Sequence, residues 1–80
     1  MTLDEFLRCG EMEQLEAFWN GIFIGNRSSG AFVMECRQID DFYVEYKILG
    51  GHYIGMSGFK NPELLHPYLN QIDISSLGIF

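Results

Sequence analysis

The segment Phe42–Leu49 constrains the fold more than any other, because apolar and polar side chains alternate along it almost without a break. Phe42, Val44, Tyr46 and Ile48 share one face; Tyr43, Glu45, Lys47 and Leu49 share the other. A period of two is the period of a β-strand, and four successive apolar residues on one face demand a covering layer. The chain therefore holds an amphipathic strand whose Val44 face is buried.

The flanking sequence supplies partners for that strand. Upstream, Ile22-Phe23-Ile24 reads as a short strand leading into Gly25–Gly30, a run of turn formers that reads as a hairpin loop, and Ala31–Gln38 reads as a second strand. Downstream, Gly50-Gly51 offers two positive-φ positions between apolar runs, and His52–Phe59 completes a fourth strand. Charge argues for a register that sets Glu35 opposite Lys47 and Arg37 opposite Glu45, with Met34 beside Ile48 and Cys36 beside Tyr46. That register requires a three-residue loop or a bulge near Asp40–Phe42, not a two-residue turn at Asp40-Asp41. In the fourth strand, a two-residue turn would bury Tyr53, whereas a three-residue loop including His52 would bury Ile54 and Met56. The second is preferred because it places more apolar surface inside and leaves Gly55 on the open face.

Helical signals bracket the sheet. Thr2 with Glu5 forms a capping box ahead of Leu3, Phe6 and Leu7, and Gly10 offers a stop. Met12, Leu15, Phe18 and Trp19 recur at helical spacing until Asn20-Gly21. Near the other end, Asn61-Pro62-Glu63 is a helix start, and Leu64, Leu65, Tyr68, Leu69 and Ile72 mark an apolar stripe that Pro67 breaks or kinks. Asp73–Gly78 suits a short turn with Leu77 tucked in. The expected fold is α+β and a single domain over residues 1–80: two short N-terminal helices, a four-stranded antiparallel meander, and a broken C-terminal helix packed on one sheet face. The Val44 face is expected to pack against Leu15, Phe18, Leu65 and Leu69.

Eighty residues, 48% of them hydrophobic, suit one small core. Eleven carboxylates against five cations give a net charge of −6, and Arg8, Arg27, Arg37, Lys47 and Lys60 are scattered, so a phosphate backbone would be repelled. No nucleic-acid partner is expected. Acids at Asp4 and Glu5, where a secretory signal places basic residues, and the lack of a long apolar run lead to a cytoplasmic expectation with no membrane partner. Cys9 and Cys36 are accordingly expected to be free thiols.

The chemistry-bearing residues do not assemble into a signature. Cys9, Cys36, His52 and His66 are spaced too widely for a metal unit, and Asp40-Asp41 reads as turn chemistry, so no metal is expected. Ser57, in Gly55-Met56-Ser57-Gly58, lacks a nucleophile elbow, and no helix opens at the glycines to cradle a phosphate. No catalytic residue, cofactor or small-molecule ligand follows from the sequence.

From Gly21 onward the chain resembles a group of small single-domain bacterial proteins of no assigned function. The likeness is carried by Asp41–Tyr46, Phe59, Leu64-Leu65, Pro67-Tyr68-Leu69 and Ile72–Leu77. It implies a bacterial cytoplasmic protein and supplies no active-site residue.

What remains is apolar surface beyond the needs of one sheet face, with Tyr43, Leu49, Tyr53 and Phe32 as the candidate interface. The expected function is a non-catalytic interaction or regulatory module acting through its sheet face, toward a protein partner or a second copy in a homodimer. The alternative is an acidic inhibitor or antitoxin-like protein that blocks a basic surface of its target.

Overall fold

A computed structural model describes residues 1–68 of the chain. Helix α1 spans Leu3–Arg8 and helix α2 spans Glu11–Trp19; strands β1 (Ile22–Ser29), β2 (Phe32–Ile39), β3 (Phe42–Leu49) and β4 (His52–Phe59) follow, and a 3₁₀ segment occupies Pro62–Tyr68. The strands form one antiparallel sheet in the order β1-β2-β3-β4. The α+β meander expected from the sequence is the observed architecture. The continuation of the C-terminal helix past Tyr68, including Leu69, Ile72 and Leu77, lies outside the described residues.

Local chemistry accounts for the element ends. The Thr2 hydroxyl accepts from the Glu5 amide at 3.1 Å while the Glu5 carboxylate accepts from the Thr2 amide at 3.0 Å, which satisfies two otherwise orphan donors of α1. The Asn61 side chain accepts from the Glu63 amide at 3.0 Å at the start of the 3₁₀ segment, within which Pro67 makes a longer α-helix costly.

Each strand is eight residues long, and each hairpin turns in two residues. Gly50 and Gly51 both have positive φ, as a type I′ turn requires, whereas Asp40 is the one described non-glycine residue with positive φ. Asp40 tolerates it because its short polar side chain is among the few that enter the left-handed region.

That tight Asp40-Asp41 turn overturns the charge-based register. Arg37 lies opposite Val44, Glu35 opposite Tyr46, Cys36 opposite Glu45 and Met34 opposite Lys47. No bulge interrupts β2 and β3. Arg37 instead finds Glu35 two positions along its own strand, Nε donating to Oε2 at 2.7 Å, and caps α2, Nη1 donating to the carbonyls of Trp19 and Gly21 at 3.3 and 3.4 Å. These bonds satisfy the carbonyl that ends α2 and one in its connection to β1, which a cross-strand ion pair worth ~0.2–1 kcal/mol would have left without this donor.

The outer strands carry the bulges. Register shifts between Phe23 and Gly25 in β1, and opposite Lys47 and Ile48 in β4, leave Ile24 and Ile54 as the extra residues. The β4 bulge merges the two facings weighed from the sequence: Tyr53 pairs with Ile48, Met56 pairs with Tyr46, and both share the Val44 face. Gly55 pairs with Lys47 on the other face, while Ile54 is exposed. Strand β1 also runs on through Ser29, because Gly25–Ser29 pair with Cys36–Phe32 in place of forming a loop.

Two cores sit on opposite faces of the sheet. Phe6, Phe18, Ile39, Phe42 and Val44 bury one another, with Leu3, Ala17, Tyr46 and Met56 packed around them. On the reverse face, Cys36, Leu65 and Tyr68 are buried among Ile24, Tyr43 and Phe59. Leu65 therefore does not join Phe18 over Val44, as the stripe had suggested; it sits on the other side. The chain makes its crossing from α2 to β1 at Gly21, where an added Cβ would come within 2.8 Å of the Gln38 carbonyl oxygen, so only glycine fits that approach without a backbone shift.

Candidate interaction surface

The helices are too small to cover the sheet. Eight residues of strand extend about 27 Å at ~3.4 Å per residue, while each helix covers a strip about 10 Å wide. Helix α1 sits at the Asp40-Asp41 end, with Phe6 tilted against Phe42 at 5.6 Å and Leu3 over Gly58. Helix α2 lies over β2 and β3: Phe18 stacks on Tyr46 of β3 at 5.4 Å, and Trp19 meets Arg37 of β2 at 4.9 Å. Beyond α2, toward the Gly50-Gly51 turn, the Val44 face continues with no described element over it.

That strip forms a shelf. Its floor is Val33, Ile48 and Tyr53 in one cross-strand row and Glu35 and Tyr46 in the next. The Tyr46 and Tyr53 rings stack at 4.8 Å, and Trp19 leans on Tyr46 at 5.7 Å to form the wall. Val33 is 41% exposed and Trp19 is 52% exposed. Burial, and then the Glu11 carboxylate, push the Tyr53 hydroxyl above its ordinary range, so Tyr53 is a neutral phenol at physiological pH.

Arg37 organises the shelf's back edge. Its guanidinium lies over the rings of Phe18, Trp19 and Phe23 at 5.3, 4.9 and 5.8 Å while its Nε and Nη1 are engaged as described above. A cation held in this way rigidifies the aromatic row and leaves little of its charge for a partner. The sequence reading missed this arrangement, although Arg37 following a strand-interior glutamate by two residues carried the signal.

The reverse face is built differently. The Tyr68 hydroxyl donates to Glu45 Oε2 at 3.1 Å, Arg27 Nη2 donates to the same oxygen at 3.3 Å, and the Arg27 guanidinium lies 5.6 Å from the Tyr68 ring centre. This triad fastens the 3₁₀ segment over Cys36. Burial, with the Glu45 carboxylate adding to it, pushes the Cys36 thiol up to about 12, so Cys36 is a core residue and not a nucleophile at neutral pH. Cys9 is a separate, partly exposed free thiol whose Sγ lies 3.2 Å from the Glu5 carbonyl.

Two consequences follow for the thiols. Iodoacetamide at pH 8 modifies Cys9 and spares Cys36 until denaturant is added, as peptide mass mapping reads. Between the ordinary thiol value of about 9 and about 12, the unfolded chain has lost the Cys36 proton and the folded chain still holds it. Stability is therefore full below pH 9 and falls through this window by a few kcal/mol. The Tyr68 hydroxyl, also raised by burial, adds a fall of the same sign. In denaturant titrations across pH 8–12, Cys36→Ala flattens the slope.

Of the residues singled out from the sequence, Tyr53 lies on the shelf. Phe32 and Leu49 pair with each other on the reverse face at the same end of the sheet, Leu49 being 44% exposed. Tyr43 stands apart: it stacks on Phe59 at 5.5 Å beside the 3₁₀ segment. An open groove of about 360 Å³ is lined by Met1, Ala17, Asn20, Gly21, Ile22, Gln38, Ile39 and Asp40, and its one charged pair is the Met1 ammonium with the Asp40 carboxylate. Among the described residues, no three His, Cys, Asp or Glu side chains converge as metal ligands, and no helix is long and apolar enough to cross a membrane. Comparison with protein-family models, with curated proteins and with solved structures finds no match for this chain.

Proposed function

We propose that the protein is a non-catalytic interaction module that binds another protein through the shelf of Trp19, Val33, Tyr46, Ile48 and Tyr53. The observation that carries this reading is the composition of the strip that no described element covers. Tryptophan and tyrosine, backed by a stacked arginine, are the residue types that dominate binding energy at protein interfaces, and here they are held rigid before any partner arrives. An acidic blocker of a basic surface is the second reading, favoured by the placement of five of the eleven carboxylates and one of the five cations within residues 1–20.

A photo-crosslinking amino acid placed at Val33 in the native host gives a discrete adduct, and the same group at Lys60 does not. Tyr53→Asp removes the adduct while circular dichroism stays native. Equal labelling from both positions would count against the shelf. Retention of the adduct at 0.5 M salt identifies an apolar interface, whereas its loss identifies the acidic blocker.

A further inference from the structure

We infer that β4 is a self-association edge, which pairs antiparallel with β4 of a second copy about a two-fold axis at Ser57 and joins two four-stranded sheets into one. The inference does not depend on the shelf and concerns a different part of the sheet. Strands β1 and β4 are the two edges, and their compositions differ. The β1 edge is polar through Gly25–Ser29 and carries Arg27, whereas His52–Phe59 holds no Asp, Glu, Lys, Arg or Pro. Charges and prolines ordinarily keep an open edge from pairing. In β4 the one such device is the bulge at Ile54, which stops short of the regular stretch Gly55–Phe59.

Register decides which backbone groups of that stretch are open. The two-residue turn at Asp40-Asp41 closes β2 and β3 on the hydrogen-bonded pair Ile39–Phe42, so Val44 and Tyr46 direct their amides and carbonyls to β2, and Tyr43 and Glu45 direct theirs to β4. Phe59 and Ser57 answer Tyr43 and Glu45, which leaves the amides and carbonyls of Met56 and Gly58 directed outward. Among the described residues, no backbone group from outside the sheet meets them.

The sequence around Ser57 is complementary to itself. With Ser57 opposite Ser57, Met56 of one copy lies across from Gly58 of the other and exchanges both backbone bonds with it, and Gly55 lies across from Phe59. Each glycine thus faces a large side chain, and an aromatic ring set across from an edge glycine shields it. The space suits the match: a Cβ at Gly55 would have no atom within 4 Å, and Leu3, which stands over Gly58, offers the incoming Met56 an apolar contact. A strand of unrelated sequence would meet the glycines without that match. The net charge of −6 is no obstacle at this edge, because Glu45, the carboxylate opposite Ser57, is held by Arg27 and Tyr68.

Sedimentation velocity of the full chain across a range of concentrations shows monomer giving way to dimer, and a mixture of isotope-labelled and unlabelled chains shows an intermolecular Hα–Hα contact at Ser57. Ser57→Cys gives a disulfide-linked dimer on mild oxidation, because facing residues of a non-hydrogen-bonded pair have Cα atoms about 4.5 Å apart, within the span of a disulfide. Peptide mapping places the link between the two substituted positions and not at Cys9. Ser57→Lys and Ser57→Asp, each native by circular dichroism, weaken self-association several-fold, and their equimolar mixture restores it. That recovery requires Ser57 to face its own copy, and an unfolded variant cannot produce it. A monomer at every concentration, a dimer indifferent to both charges, no recovery on mixing, or a dimer lost in Val33→Glu and kept in Ser57→Asp would each overturn the inference.

Discussion

Val44→Asp leaves the chain unfolded at 25 °C. Val44 has no solvent exposure and sits at the centre of the core of Phe6, Phe18, Ile39 and Phe42. Its cross-strand neighbours on that face are Arg37 and Gly58, and Arg37 is already held by Glu35 and the end of α2. A carboxylate there would be buried without a free partner, at a cost of several kcal/mol. A domain of this size has only about 5 kcal/mol to lose, so the two-state equilibrium crosses over. Far-ultraviolet circular dichroism and a flat thermal scan would record the loss, while Val44→Ile, which keeps shape and polarity, remains folded. A folded Val44→Asp protein would mean that the two sheet faces are exchanged.

Phe18→Ala is the second large effect, and it strikes both core and surface. Phe18 is fully buried, stacks on Tyr46 and lies beneath the Arg37 guanidinium. Truncation removes the ring from Tyr46, the Arg37 guanidinium and the edge-on Trp19 at once, with an expected cost of about 3–5 kcal/mol. At roughly 4–8 °C per kcal/mol for a domain of this length, the melting midpoint falls by 12 °C or more. Phe18→Leu keeps most of the apolar volume and costs less, but it too removes the stacking platform under Tyr46. Partner affinity should therefore drop in Phe18→Leu more than its melting temperature does, because Tyr46 and Trp19 lose their fixed orientation on the shelf.

Much of this fold is legible in the sequence where one local signal acts alone. The alternation through Phe42–Leu49, the Thr2–Glu5 box and the Asn20-Gly21 stop each specify their element without a competing choice, and each is found in place, whereas the three-residue loop preferred after Leu49 is replaced by a two-residue Gly50-Gly51 turn that pairs His52 with Leu49. The reading fails where two preferences compete. Gly25–Ser29 is polar and turn-prone on its own, yet pairing with β2 draws it into a strand, as an edge position permits. The ion pairs Glu35–Lys47 and Arg37–Glu45 look decisive in one dimension, but they are outweighed by a two-residue turn at Asp40 and by the carbonyls at the end of α2 that Arg37 satisfies.

The candidate surface was legible in kind more than in place. Excess aromatic area on the sheet can be counted from the sequence, and Tyr53 belongs to the shelf. Trp19, Val33 and Tyr46 could not be placed there, because the uncovered strip is set by how far α2 reaches across the strands and by the β4 bulge that turns Tyr53 toward Tyr46. Tyr43 was drawn toward the interface by its exposed-face parity. The 3₁₀ segment, fastened by Tyr68, Glu45 and Arg27, packs beside it on that face.

The four tyrosines allow the central claim to be read in one experiment, since Tyr46 and Tyr53 floor the shelf while Tyr43 and Tyr68 lie in the reverse core. Hydroxyl-radical footprinting with mass mapping is carried out on the free protein and on its complex with the partner captured through Val33. Oxidation at Tyr53 and Tyr46, together with Trp19, falls at least threefold in the complex, and Tyr43 and Tyr68 are unchanged. Protection confined to Tyr43 and Tyr68 would contradict the account and place docking on the opposite face of the sheet.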